Sequence, residues 1–299
     1  MLTASFSIQR FLPSVDLQPF VKDFIFIYDA RPLEIPPERL LPDGNFMLVI
    51  NLENGYIAHT SVGNYHAEKA ATAHVHAHAQ GAFYLRKTGI YRGITVHLTP
   101  DGMHGLLQSS LNELPLNAVF NLEELCVKWG RELAARLCAC TSQQAQLTCL
   151  EQLLRQKLNS SFGHVTPMSP LLNWIEQRQG QVNVQTLAET FFISRKTLER
   201  KFLQQVGISP KQYLRMIRFR HAYTQLSLGN FQEMMDLVVE NGYFDQMHMI
   251  KDFKQFIGKT PTELIKSPDF QQAFYHVQYR KLANLSFAPT STAPALTVL

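Results

Sequence analysis

Along roughly the first 115 residues, apolar positions fall in short β-prone runs divided by turn-forming residues. Phe24-Ile25-Phe26-Ile27-Tyr28, Phe46-Met47-Leu48-Val49-Ile50 and Ile94-Thr95-Val96-His97-Leu98 read as strands. Leu41-Pro42-Asp43-Gly44 and Asn54-Gly55 mark turns, and Pro100-Asp101-Gly102 is read as closing the third strand. Many short strands with such punctuation predict a small barrel or sandwich. Over 118–158 the apolar period changes to that of helices. Leu122, Leu125, Trp129, Leu133 and Leu137 form one stripe, and Leu147, Leu150, Leu154 and Leu158 form another. Ser160–Gly163 through Pro167 and Pro170 reads as a linker, followed by a helix from Leu171 to Arg178.

From Asn183 onward the pattern is written twice. Ser194, Phe202, Gly207 and Ser209 are echoed by Asp245, Phe253, Gly258 and Thr260, each pair 51 residues apart. Asn183 is a candidate cap for a helix through Leu187 and Ala188. After a turn at Phe192-Ile193, Ser194 caps a second helix. At 100° per residue, Leu198 and Phe202 share one face while Lys196, Thr197 and Arg200 point away. Gly207 stops that helix, and Ser209-Pro210-Lys211-Gln212 makes a capping box for the next. Apolar positions then recur to Gly229, a span of about 19 residues or roughly 28 Å of helix. The second unit is expected to open at Asn230, with Glu233 as its reciprocal cap. After Asp245, its helix turns Met249, Phe253 and Phe256 inward and Gln246, Met247, Ile250 and Lys251 outward. Two short helices joined by a rod nearly one duplex turn long (about 34 Å) predict two helix-turn-helix units in successive major grooves.

Charge sharpens this picture. Residues 1–183 carry 14 Lys and Arg against 15 Asp and Glu, whereas residues 184–266 carry 12 against 8. The basic excess thus lies over the repeated segment, where phosphate contacts would require it. No apolar run approaches a membrane span, and the N-terminus lacks a signal-peptide pattern. Cys126, Cys138, Cys140 and Cys149 contain no CxxC pair, which fits a reduced, cytoplasmic protein without a membrane partner.

Residues 184–266 resemble the DNA-binding domain of AraC/XylS-type bacterial transcription regulators. The first half of the match comprises Leu187-Ala188, Ser194, Leu198, Arg200, Phe202, Gly207, Ser209-Pro210, Tyr213-Leu214, Arg218, Ala222 and Leu226. The second comprises Gly242-Tyr243, Asp245-Gln246, His248, Phe253-Lys254, Gly258, Thr260-Pro261 and Leu264. The resemblance implies base-reading roles for Lys196, Glu199 and Arg200, beside Thr197 on the outward face, and for Gln246, Met247, Ile250 and Lys251. Ser194, Arg195, Lys201, Arg218, Lys254 and Lys259 are expected at phosphates. Three positions depart from the family's pattern. Val238 stands where alanine is usual, which is expected to set the second unit's helices further apart. Met247 replaces the usual serine, and Asp252 adds a negative charge expected near the DNA surface. Met247 and Ile250 leave two readings open: contact with thymine methyls, or weak sequence reading by the second unit. More loosely, the order Leu41-Pro42-Asp43-Gly44, Val62-Gly63, Gly93 and Pro100-Asp101-Gly102 is similar to cupin-like sensory domains.

The expected fold class is α+β multidomain: a β-rich, barrel-like N-terminal domain with flanking helices, then an all-α domain of two helix-turn-helix units joined by a long helix. Residues 1–160 form the first domain, 161–170 the linker, 171–267 the DNA-binding domain, and 268–299 a short helix and flexible tail. The implied function is sequence-specific regulation of transcription, by family habit activation. The implied partners are double-stranded promoter DNA, RNA polymerase, a small-molecule effector, and a second copy of the chain paired through residues 118–158. No cofactor is called for. Two other readings remain. A cupin-type metal-dependent enzyme would use His74, His76 and His78, aligned on one face of a strand, with His97 as a fourth group. Against it, those histidines suit a solvated edge strand, and no catalytic motif is present, so an enzyme is not expected. A protein-interaction adaptor would keep the helical fold without binding DNA.

Overall fold

The computed structural model of the chain describes residues 6–33, 38–60, 63–67, 72–78, 81, 83–159 and 167–267. The N-terminal strands are β1 (Phe6–Phe11), β2 (Val21–Asp29), β3 (Glu38–Leu40), β4 (Phe46–Asn51), β5 (Tyr56–Thr60), β6 (Gly63–Ala67), β7 (Thr72–His76), β8 (Phe83–Lys87), β9 (Tyr91–Leu98) and β10 (Val119–Asn121). They form a six-stranded sheet ordered β1-β2-β9-β4-β7-β10 and a four-stranded sheet ordered β3-β8-β5-β6. All of these pairings are antiparallel. Among the described residues no pairing joins the two sheets or links β1 to β10, so the expected barrel is an open sandwich.

The larger sheet is covered on both faces. Phe46, Leu48 and Ile50 of β4, with Ile94, Val96 and Leu98 of β9, pack against α1 (Pro100–Leu107), α2 (Leu122–Leu125), α3 (Val127–Ala139) and α4 (Gln143–Asn159). On the opposite face Met47 and Val49 meet Tyr56, Ala58 and Leu85 of the smaller sheet. Burial on both sides explains why β2, β4 and β9 read as continuous apolar runs. The leucine stripes of 118–158 do the covering: Leu122, Leu133, Leu137, Leu150, Leu154 and Leu158 are all buried in this core. Each contributes roughly 1.5–3 kcal/mol there. Homodimer contacts through 118–158 would therefore have to use the other faces of α3 and α4.

Two local readings are corrected. Pro100-Asp101-Gly102 does not close β9 as a turn but opens α1, where Thr99 Oγ1 accepts the Gly102 N–H at 3.0 Å and Pro100 takes the first helical position. The histidine strand is not an edge strand either, since β7 lies between β4 and β10.

The C-terminal domain consists of α5 (Ser169–Gln177), α6 (Val184–Thr190), α7 (Arg195–Val206), α8 (Pro210–Leu228), α9 (Met234–Glu240), α10 (Gln246–Ile257) and α11 (Pro261–Ile265). One apolar core holds both halves, running from Leu187, Leu198 and Phe202 through Ile217, Phe219 and Ala222 to Leu237, Phe253 and Leu264. α5 begins inside the segment expected to be linker; the tail 268–299 lies outside the described residues.

The two domains are packed together. Leu41 and Leu116 pack into the C-terminal core. The Asp101 carboxylate accepts the N–H groups of Met168 and Ser169 at 2.9 and 2.8 Å, capping α5 from the other domain. Arg220 donates to the Asp43 carbonyl at 3.0 Å and pairs with Glu176. Burial works against its charge, but Glu176 prevails and holds the guanidinium above its ordinary value. Gly207, at φ 86, lies where a Cβ would come within 3.1 Å of the Leu111 carbonyl, so the end of α7 sits on the 3₁₀ turn Leu111–Glu113.

Candidate nucleic-acid interface

Local capping sets each outward helix. Ser194 Oγ accepts the Thr197 N–H at 3.1 Å and bonds the Thr197 hydroxyl at 2.9 Å, so both side chains are engaged in starting α7. Asp245 Oδ1 accepts the His248 N–H at 2.7 Å at the start of α10. Asn183 caps α6 through the Thr186 N–H at 2.8 Å. The second unit opens later than expected: Glu233 is itself the N-cap of α9, in a capping box with Asp236. This uncovers a shift in the repeat. The caps Asn183 and Glu233 lie 50 residues apart, whereas Ser194 and Asp245 lie 51 apart, because the second turn holds one more residue. Phe192 occupies the left-handed position of the first turn at φ 53, and Gly242 that of the second at φ 63.

On α7, Lys196 and Arg200 are exposed, Thr197, Glu199 and Lys201 are half-buried, and Arg195 pairs with Glu199 at 2.9 Å. Leu203, also exposed, follows Lys196 and Arg200 at helical spacing; that period marks it as a member of the same face, which the sequence reading passed over. On α10, Gln246, Met247, Lys251 and Lys254 are exposed, while Ile250 and, beyond the helix, Lys259 are half-buried.

The arginines of α8 serve packing. Arg215 Nε bonds Asp252 at 3.0 Å and its terminal nitrogen bonds Gln255 at 2.7 Å. The Asp252 side chain, on the inner face of α10, is thus fully buried against α8, not at the DNA surface as expected. Arg218, expected at a phosphate, donates to the Gly180 carbonyl at 3.0 Å and lies over the Tyr243 ring. Val238 is buried, and its carbonyl accepts the Tyr243 N–H at 2.9 Å. Both outward helices pack on α8, with Phe202 of α7 5.8 Å from Tyr213 and Phe253 of α10 5.0 Å from Phe219.

The three histidines are not gathered. The Tyr65 hydroxyl lies 3.3 Å from His74 Nδ1 and the Tyr56 hydroxyl 2.7 Å from His76 Nε2, both between the sheets. His78 packs against Phe46, ring centroids 4.2 Å apart and tilted by 51°, close to Val206 at the domain contact. Burial lowers all three, to about 4, 3 and 4 respectively. Among the described residues no group of His, Cys, Asp or Glu, His74, His76 and His78 included, is placed to hold a metal ion. His97 pairs with Asp23 at 2.6 Å. Burial raises the Asp23 carboxyl, but His97 and Arg10 outweigh it and leave it below its ordinary value. Among the described residues no helix is long and apolar enough to cross a membrane.

Residues 187–267 match a family described as a helix-turn-helix domain, and residues 9–119 match one described as a domain of unknown function (DUF6597). Relatives include an uncharacterized HTH-type transcriptional regulator of Haemophilus influenzae, 30% identical over 97 residues and 32% of each chain. The HTH-type transcriptional activator RhaS of Escherichia coli is 27% identical over 127 residues, 42% of this chain and 44% of its own. The chain thus spans less than half the length of these relatives. Among solved structures, ToxT of Vibrio cholerae is 12% identical, covering 86% of this chain and 96% of its own, at a TM-score of 0.42. The paired units on a shared helix and the match over 187–267 define a double helix-turn-helix protein. Its C-terminal domain is similar to the helix-turn-helix domains of these transcriptional regulators.

Proposed function

We propose that this chain is a sequence-specific, DNA-binding transcription regulator and not an enzyme, acting in the cytoplasm. The observation that carries the reading is the pair of outward helix faces, α7 with Lys196 and Arg200 and α10 with Gln246 and Lys251, held by one core on α8. Lys196, Thr197, Glu199 and Arg200 would read bases in one major-groove segment, and Gln246, Met247, Ile250 and Lys251 in the next. Arg195, Lys201, Lys254 and Lys259 would supply salt-dependent phosphate contacts, assisted by Ser194 at the α7 terminus.

The N-terminal sandwich is proposed as an effector domain. Tyr56, Tyr65, His74 and His76 form a polar, hydrogen-bonded layer between its sheets. Its contacts at Leu111 and His78 reach the end of α7, which supplies a physical route from effector to DNA. Activation through RNA polymerase is the corresponding proposal for output, in keeping with the relatives named as activators. Selection of duplexes from a random pool, followed by a salt titration on the enriched site, tests the core reading. A single preferred site with two read segments and affinity falling as salt rises is expected. Salt-independent binding, or no enrichment, would refute it.

A further inference from the structure

At the register of 51 residues that α7 and α10 share, Met247 stands in the place of Lys196 and Ile250 in that of Glu199. The first unit is polar at both positions. The second is apolar, with Met247 59% exposed, Ile250 half-buried and Phe244, just before the N-cap, 91% exposed. The one carboxylate within α10, Asp252, is buried on Arg215, so the outward face combines this apolar strip with Gln246, Lys251 and Lys254. Exposed apolar surface gains free energy only when something covers it. The surrounding cations call for an anionic cover, and the repeat aims this face as the first unit aims its polar readers. Duplex DNA offers both features, because the C5-methyl of thymine is an apolar group on a major-groove base edge.

We propose that α10 identifies thymine by its methyl group through Met247 and Ile250, with Gln246 and Lys251 fixing its register on the duplex. This rests on the DNA-binding reading above. The second unit is then a selective reader whose currency is methyl contact, where the first uses charge and hydrogen bonds.

The test uses the full chain and the duplex enriched from the random pool. Thymines are replaced one at a time by deoxyuridine, which removes the methyl and keeps every hydrogen-bonding group, and affinity is measured at fixed salt. Loss of about fourfold per contacted methyl is expected at one or two positions, all in one half of the site. Met247→Ala should reduce that sensitivity, and the double change Met247→Lys with Ile250→Glu should abolish it while binding to the other half persists. Since Met247 is exposed, Met247→Ala remains informative even if the double variant folds poorly. Site-selective binding indifferent to every uracil, or uracil sensitivity unchanged in Met247→Ala, would overturn the inference and leave this face to a protein partner. Absence of any selective, salt-dependent binding would overturn the DNA reading itself, and this one with it.

Discussion

Arg215 and Asp252 share one ion pair but stand in different surroundings. The Asp252 side chain is fully buried, while that of Arg215 retains 27% of its exposure. Removing the arginine strands a buried carboxylate, so Arg215→Ala should destabilise the chain by roughly 3–5 kcal/mol. Asp252→Ala lets the arginine swing toward water and should lose only about 1.5–3 kcal/mol. Urea unfolding of both variants measures the asymmetry; equal losses would show that burial does not govern the pair. Arg200 is exposed and opposite the Leu198 and Phe202 face, where the proposed function makes it a base reader. Arg200→Ala should lose ~1–3 kcal/mol on the preferred duplex and flatten selectivity at one base pair. Equal loss on random duplex would make it a phosphate anchor instead. Lys196, Arg200, Gln246 and Lys251 were legible because helical period alone turns them away from the apolar stripe. The roles of Asp252 and Arg218 were not, because their partners lie 37 residues or more away in the chain.

At the scale of elements, caps and stops carried most of the information. Ser194, Gly207, Ser209-Pro210, Asp245, Gly258 and Thr260-Pro261 act on their own backbone within three to five residues, so the chain displays them openly. The start of α9 was obscured because Asn230 and Glu233 both suit a cap, and only packing of Leu237 and Val238 on α8 decides between them. The change of offset from 50 to 51 was hidden inside the second turn. That turn places glycine where the first has Phe192, 96% exposed at φ 53. A left-handed non-glycine residue carries about 1–2 kcal/mol of strain, partly offset by the greater backbone freedom glycine loses on folding. Phe192→Gly should therefore raise stability by about 0.5–1 kcal/mol, whereas Gly242→Phe should lower it; a thermal melt in which both changes act in the same direction would contradict this account.

For the whole molecule, the interdomain contacts were invisible in the sequence, since Leu41, Asp43, Asp101 and Leu111 meet partners far along the chain. Residues 167–267 made alone would lack the cover of Leu41 and Leu116 and the Asp101 cap on α5, so they should melt below the same segment in the intact chain. Identical melting would mean the contact adds no stability. Acid should act on the N-terminal side. The unfolded chain protonates histidine near pH 6.5, whereas folded His74, His76 and His78 remain neutral down to about 4, 3 and 4. The folded state thus binds fewer protons, and stability should fall as pH drops below about 6.5, by roughly 2 kcal/mol per histidine at pH 5. The Asp23 carboxyl, lowered when folded, stabilises above the ordinary carboxylate range and loses that contribution only at lower pH, so the two windows separate. Melts from pH 7.5 to 5 on the wild type and on His76→Gln would resolve this, since the variant should show a shallower slope; parallel slopes would rule His76 out.

Because α7 and α10 share one apolar core on α8, they turn together. An extra base pair between the two read segments would rotate one against the other by about 35° around the duplex axis. The protein would then have to abandon one segment or strain the duplex to hold both. On the proposed reading, its DNA sites should consequently tolerate substitution within either segment far better than any insertion or deletion between them.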